Sequence, residues 1–544
     1  GTHPGGAVPA QLPVMSAYTG TTELLRLAWR RDRVLVPLGI LAIAGMAVSS
    51  AKAPLALYPT AESMGGAISE IFASPAAVAL YGPIGNPTSP DSLAVVKMTM
   101  MGAVFLSLFG YAVVRRHTRS EEEAGRLELL GSGVVGRRAP LAAAVVLATG
   151  AVLITCLLTA LGYIGLGMQS AGSVAFASGW AASALAFVGI TAVAAQLSST
   201  SRSCAGLAGG AIGAAFLLRS IGDSQATLSW LSWISPLGWS TQSAAYGANR
   251  SWVALLGVAV LVAGVIGSFA LLDRRDLGAG LLAGRRGSAH APASLSSPVG
   301  LAWRLGRPGF LGWLAGFVVG GLVVGGLAKS ATDLIKDPGI ADMLRKMGGG
   351  EGLLEDVYLT TEIGFISVIA AAFGIVVALR LRSEEVAGHT EQVLAGATTR
   401  SRVLASHTVI GLLGSAVLML VLGGVIGVVD AAAGGSAGVG RLLASAAAHV
   451  PAVWVCIALA VCAYAWLPRI AAGVAWGALA VFLTVGEFGG LLGLPGWLID
   501  LAPFTHSPRM PVEPFSLPPV VGLLAVAAAL LAAAYAGFRR RDIG

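Results

Sequence analysis

Few residues in this chain have the type and spacing to do chemistry, and those that do carry charge rather than react. Residues 119–137 read RSEEEAGRLELLGSGVVGR and residues 382–400 read RSEEVAGHTEQVLAGATTR, nine identities in nineteen positions without a gap. In the first stretch Ser120 is placed to cap a helix, and Glu123, three residues on, completes a capping box. Glu121, Glu122 and Glu123 suit the positive end of a helix dipole. Glu122 and Arg126 are spaced as an i,i+4 ion pair. Ala124, Leu127 and Leu130 share one face, Glu121 and Glu128 another, and Gly131 and Gly133 end the helix. In the second stretch Ser383 takes the cap, Glu384 and Glu391 repeat the acidic face beside Glu385, and Gly396 closes. Val386 stands where the capping-box acid stood, which predicts a less well capped helix. A short amphipathic helix on a membrane surface, tied at both ends to membrane helices, passes any push to both. Its occurrence twice, at equivalent positions, argues for a docking surface rather than a solvated charge run.

Reactive constellations are missing from the sequence. A P-loop needs GxxxxGK[ST], yet none of the five lysines, Lys52, Lys97, Lys329, Lys336 and Lys346, follows a glycine. Cys156, Cys204, Cys456 and Cys462 lie in or beside apolar runs with no CxxC or zinc spacing, so they read as small buried hydrophobes. The histidines are scattered, and His117 and His389 read as ordinary surface residues. No metal, nucleophile elbow or paired catalytic carboxylates are expected, and no cofactor is expected on this chain. ATP would need a second protein.

The elements that must position the acidic stretches are membrane helices. Hydrophobic residues make up 56% and charged residues 11% of 544, against about 25% charged in soluble domains. That excludes an ordinary soluble enzyme, a disordered chain and a nucleic-acid binder. The scarcity of Lys beside Arg is the bias of a high-GC bacterial genome. Residues 1–14 are Gly/Pro-rich and hold no cleavable signal; Met15 is the expected native start. A helix that crosses about 30 Å at about 1.5 Å per residue needs about 20 apolar residues. Twelve such runs are predicted: 34–51, 93–114, 140–167, 173–197, 204–221, 252–272, 310–328, 359–380, 403–428, 443–466, 470–486 and 519–537. With the N-terminus inside, 25 Lys and Arg fall on inner segments and eight on outer ones. The positive-inside rule then predicts both termini in the cytoplasm.

The chain also repeats itself. Leu27-Ala28-Trp29-Arg30 recurs as Leu301-Ala302-Trp303-Arg304. Arg274-Arg275-Asp276-Leu277-Gly278 recurs as Arg540-Arg541-Asp542-Ile543-Gly544. Together with the acidic stretches these predict an all-α polytopic membrane protein of about twelve spans. It comprises a first six-helix half, residues 1–275, a linker, 276–298, and a second half, 299–544. Six is even, so both halves share one orientation, related by a pseudo-twofold axis along the membrane normal.

The Arg-x-Glu…Gly…Glu-Leu-Leu stretch between spans 2 and 3 resembles the coupling-helix region of ABC-2 type permeases. The amphipathic segment Leu24–Arg33 before span 1 and the Trp/Pro-rich outer segment between spans 5 and 6 are similar to that family too. The resemblance covers nearly the whole chain, twice, and is nearest to fused, double-length permeases of the tetronasin and multidrug ABC exporter kind. It implies two copies of a separate ATPase subunit holding ATP and Mg. It also implies export of hydrophobic or amphiphilic compounds (antibiotics, drugs or lipids) across a bacterial plasma membrane by alternating access. Glu121, Glu122, Arg126, Glu128, Glu384, Glu385 and Glu391 would then couple the ATPases to the spans. Span 2 and its counterpart would line the pathway. There Met98, Met101, Phe105 and Phe109 form one stripe, and Glu362, Phe365, Ile369 and Phe373 the other. Lys97, Arg219 and Glu362 lie one or two turns from the outer boundary, where snorkelling is the plain account and a substrate or gating role the alternative. The competing class is a proton-coupled twelve-span transporter, which needs an acid or histidine deep in the membrane.

Overall fold

The computed structural model describes residues 16–57, 75–131, 135–276, 278–282, 290–333, 353–435, 437–488, 495–510 and 512–541. Met15 and the stretch before it, residues 62–73 and 340–347, Gly133, the centre of the linker and Asp542–Gly544 lie outside them. Among the described residues the regular structure is helical, with no strand. The chain divides into two compact units, Gly1–Arg286 and Gly287–Gly544.

In the first unit α1 (Thr21–Asp32) precedes α2 (Leu35–Leu57), α3 (Pro75–Tyr81) and α4 (Pro90–His117). Two short helices follow, α5 (Arg119–Glu123) and α6 (Arg126–Gly131). Then come α7 (Ala139–Gly165), α8 (Ser170–Leu197), α9 (Ser201–Ser224), α10 (Trp230–Ile234), α11 (Gly238–Gln242) and α12 (Ala254–Leu272). The second unit has α13 (Pro298–Asp333), α14 (Leu353–Val386), α15 (His389–Leu394), α16 (Arg400–Ala432), α17 (Val439–Trp466), α18 (Ala471–Phe488), α19 (Gly496–Ile499) and α20 (Leu517–Arg540). Eleven described helices are long and apolar enough to cross a membrane; α18 is apolar but shorter. The chain is therefore an all-α polytopic membrane protein, and the span read at 204–221 is a full helix despite Arg219.

Each unit is organised around one central helix. In α8, 83% of the apolar window is buried, and in α17, 78%, against 17% in the windows of the last helix of each unit. Small residues let neighbours approach α8 closely. A Cβ on Gly102 of α4 would sit 1.8 Å from the Trp180 ring, so only glycine fits there. Gly110 lies against Val188 in the first unit and Gly374 against Ile457 in the second, so the helices pair in the same register. The units differ at their starts. α1 and α2 are separated after Asp32, whereas α13 runs unbroken through Pro308, fusing the amphipathic segment to its span.

Candidate functional site

At its last residues α4 enters the first acidic stretch. The backbone turns at Thr118, forms α5, breaks at Gly125 with φ +70, and resumes as α6. That positive φ favours glycine. Across the break Arg126 Nε donates to Glu121 at 2.8 Å, and Arg31 of α1 pairs with the same carboxylate. The i,i+4 pair expected between Glu122 and Arg126 does not form, because Glu122 turns inward. It is buried and accepts from Arg275 Nη1 at 2.5 Å, Arg275 Nη2 at 2.9 Å and the Gly278 N–H at 2.7 Å, with Arg119 Nη1 at 3.0 Å. Arg119, also buried, donates to the carbonyls of Ala195, Ser198 and Ala279, and Arg275 Nε to Gln196 at 2.8 Å. Glu122 thus ties the elbow to the end of α8 and the segment after α12.

The capping box is also replaced. Thr118, not Ser120, occupies the N-cap of α5 and makes no side-chain cap bond. Ser120 Oγ lies 2.9 Å from Ser201 Oγ, and Glu123 accepts from the Ser201 N–H at 3.0 Å. The pair therefore closes the start of α9, because the helix it was read to cap is a single turn long. Asp32, at the end of α1, is buried and accepts from Arg116 and from His117 Nε2 at 2.8 Å, so His117 is an anchor and not a surface residue. Nearby, Arg138 pairs with Asp273 and holds its carboxyl below the usual carboxylate range.

The second elbow repeats the plan on a different backbone. α14 runs straight to Val386, so Ser383 lies inside a helix and caps nothing; the break falls at Gly388, φ +74. Glu384 takes Arg380 Nε at 3.3 Å and, across the break, His389 Nδ1 at 3.0 Å. Glu385 pairs with Arg541 and accepts from Tyr464 Oη at 2.6 Å. Arg541 also donates to the Tyr464 carbonyl at 3.1 Å. Two sequence repeats thus meet within each unit: Glu122 with Arg275, and Glu385 with Arg541. Sequence spacing gave no sign that they touch. Glu128 and Glu391 stay exposed. Beside the first elbow a cavity of about 460 Å³ opens between α1 and α6, lined by Leu24, Leu27, Ala28, Arg31, Glu121, Arg126 and Leu127 among others.

The two stripes divide. Met101 and Phe105 are 39% and 38% exposed, and Phe365 and Ile369 are 41% and 48% exposed. Met98 is buried and Glu362 half-buried. The last ring of each stripe packs against the preceding span. Phe109 rests on Gly39, and Phe373 sits beside Phe310, Trp313 and Gly414 with 2% exposure. Phe109 and Phe373 are therefore helix–helix contacts. Arg219 does not snorkel either. It is fully buried, donates to the carbonyls of Val78, Ala79 and Leu80 at 3.3, 2.7 and 3.2 Å, and pairs with Asp223. It closes the end of α3, which the sequence did not reveal because its partners are backbone atoms 140 residues away. Lys97 is exposed. Of the tryptophans outside the spans, Trp239 is buried with Nε1 donating to Trp233 O at 2.7 Å, while Trp230 and Trp497 are exposed. Among the described residues no group of His, Cys, Asp or Glu is arranged for a metal ion.

The family model described as the C-terminal domain of the multidrug efflux system permease Rv1217c matches residues 22–271 and again 295–539. The multidrug efflux system permease protein Rv1217c of Mycobacterium tuberculosis (strain ATCC 25618 / H37Rv) is 41% identical over 536 residues, 97% of this chain and 96% of that protein.

Proposed function

The chain belongs to the family of the multidrug efflux system permease Rv1217c, and from that premise we propose that it is the permease subunit of an ATP-driven ABC exporter. Its cargo would be hydrophobic or amphiphilic compounds, drugs or antibiotics among them, moved out across a bacterial plasma membrane. The chain holds no P-loop, so the energy comes from two copies of a separate ATPase subunit, which carry ATP and Mg. The observation that carries this reading is the pair of equivalent elbows. Each has a glycine break bridged by a glutamate side-chain contact, Glu121–Arg126 or Glu384–His389, and a second glutamate locked to the arginine after the last span. The lock makes each elbow a lever: force applied at exposed Glu128 or Glu391 reaches the central helix through Glu122 or Glu385. The cavity beside α1 and α6 is where the ATPase would seat. With both termini cytoplasmic, these elbows face the ATPases. Cargo would meet the exposed middles of the stripes, Met101 and Phe105 in one half, Phe365 and Ile369 in the other.

The test is co-purification. The chain alone should neither bind nor hydrolyse ATP, and hydrolysis should appear with a separate ATPase that stays bound through size exclusion. Tight ATP binding by the isolated chain would reject the assignment. One observation bears on the proton-coupled alternative: the second unit holds two buried carboxyl groups, Asp430 and Glu355. Efflux driven by a pH gradient without any ATPase would favour that reading.

A further inference from the structure

The central helices α8 and α17 are each 28 residues long, and Trp180 and His449 hold the same position along them. Trp180 is fully buried against Gly102, and its Nε1 donates to Thr99 O at 3.1 Å. In the register that matches Gly110–Val188 to Gly374–Ile457, the counterpart of Gly102 is Ile366. Where the first unit is plugged by an indole, the second holds a smaller imidazole and, against it, a cavity of about 360 Å³. That volume falls in the range of small-molecule sites, about 300–1,000 Å³.

The cavity is built, not merely empty space between helices. His449 is buried, with Nδ1 2.9 Å from the Ser445 carbonyl. A carbonyl only accepts, so Nδ1 carries the proton and Nε2 of the neutral ring offers a lone pair. Nε2 lies beside Gly364, and the buried Ser507 Oγ has no hydrogen-bond partner among the described residues. Buried polar groups are paired in the great majority of cases, so an orphaned hydroxyl on the same lining as the His449 lone pair marks a place for a ligand. Phe482 and Phe504 supply an apolar wall, and Arg509 stands on the lining beside Ser507. The segment carrying Ser507 and Arg509 is fastened over the cavity: the Met510 carbonyl accepts from Thr360 Oγ1 at 3.0 Å and Ser445 Oγ at 2.5 Å. The site lies toward the start of α14, some 20 residues and about 30 Å of helix from the elbow.

We propose that this cavity binds an amphiphile whose polar end carries an N–H or O–H donor, bonded to His449 and Ser507, with its apolar body against Phe482 and Phe504. The exported compound is one source of that chemistry, resting on the export reading; an amine-headed phospholipid is the other. The assay needs no ATPase, so its failure says nothing against ATP-driven export, and failed coupling to an ATPase leaves it unaffected. The full chain in phosphatidylcholine nanodiscs is titrated with rhodamine 6G, a hydrophobic cation with N–H donors, and with tetraphenylphosphonium, which has none. His449→Phe and His449→Trp should raise the rhodamine Kd at least tenfold. His449→Gln, which keeps an acceptor, should hold it within about twofold, and tetraphenylphosphonium binding should not change. Ser507→Ala, a smaller perturbation, should weaken rhodamine binding severalfold and answers if the His449 variants fail to fold. Replacing the lipid by phosphatidylethanolamine separates the sources. Competition in wild type that vanishes in His449→Phe assigns the site to lipid, and no competition assigns it to the exported compound. Rhodamine binding equal in wild type, His449→Phe, His449→Trp and Ser507→Ala overturns the proposal.

Discussion

Glu122→Gln is the perturbation from which the elbow architecture predicts most. The carboxylate receives two hydrogen bonds from Arg275 and one from the Gly278 N–H, and Arg119 Nη1 stands 3.0 Å away as a second ion-pair partner. Both side chains of the Glu122–Arg275 pair are almost fully buried. Neutralising the carboxylate leaves two buried guanidinium groups without a counter-charge. Breaking a buried pair from one side costs about 3–5 kcal/mol. Glu385→Gln is the internal comparison. Its pair with Arg541 is more exposed, one arginine serves it instead of two, and Tyr464 remains as a donor. A charged hydrogen bond lost there is worth about 1.5–3 kcal/mol. Glu128→Gln, on an exposed residue, should fall within about 0.5 kcal/mol of wild type. The assay is chemical unfolding of the purified chain in one detergent, followed by the reactivity of buried Cys204 and Cys456 with a thiol dye. The order should be Glu122→Gln, then Glu385→Gln, then Glu128→Gln. Adding Arg275→Gln to Glu122→Gln should cost less than the sum of the two, because the pair is one unit. Glu122→Gln as stable as Glu128→Gln would refute the clamp.

Further outcomes follow from the same contacts. The double variant Glu128→Arg, Glu391→Arg should lose ATPase binding in pull-down while its unfolding curve stays at wild type. Phe373→Ala should cost about 3–5 kcal/mol and lower transport of every cargo alike. Met101→Ala and Phe365→Ala should change which dyes are exported, at unchanged stability. Arg219→Ala should free α3, read as protease cleavage between residues 75 and 90 that wild type resists. Asp273 has its carboxyl depressed by Arg138, so that tie contributes fully above the unfolded carboxylate value and is lost as pH falls through the lower folded one. Asp273→Asn should remove the part of acid unfolding that lies in that window.

The helical class, the span positions and the duplication were legible because apolar run length and repeated motifs are local signals. The elbows were legible as places and misread as circuits. The sequence shows three glutamates in a row, but which one turns inward is decided by Arg275, about 150 residues away, and so Glu122 was assigned to Arg126. The same holds for Glu123, whose partner is the start of α9, and for Arg219, whose partners are carbonyls. Phe109 and Phe373 illustrate the limit of a stripe: spacing of three or four puts residues on one face, and only packing tells which part of the face meets Gly39 or Trp313. The α17 cavity was invisible because it follows from what replaces Trp180 in the other half.

The central claim is that ATP hydrolysed by a separate subunit drives efflux through the two elbows. The most direct measurement is rhodamine 6G transport in proteoliposomes holding the chain and its ATPase, with ATP supplied on the elbow side and no ion gradient. Transport should require both proteins and ATP, and should vanish in the Glu128→Arg, Glu391→Arg double variant, although that variant still folds and inserts. Transport by the chain alone under a pH gradient, or full ATP-driven transport by the double variant, would contradict the account.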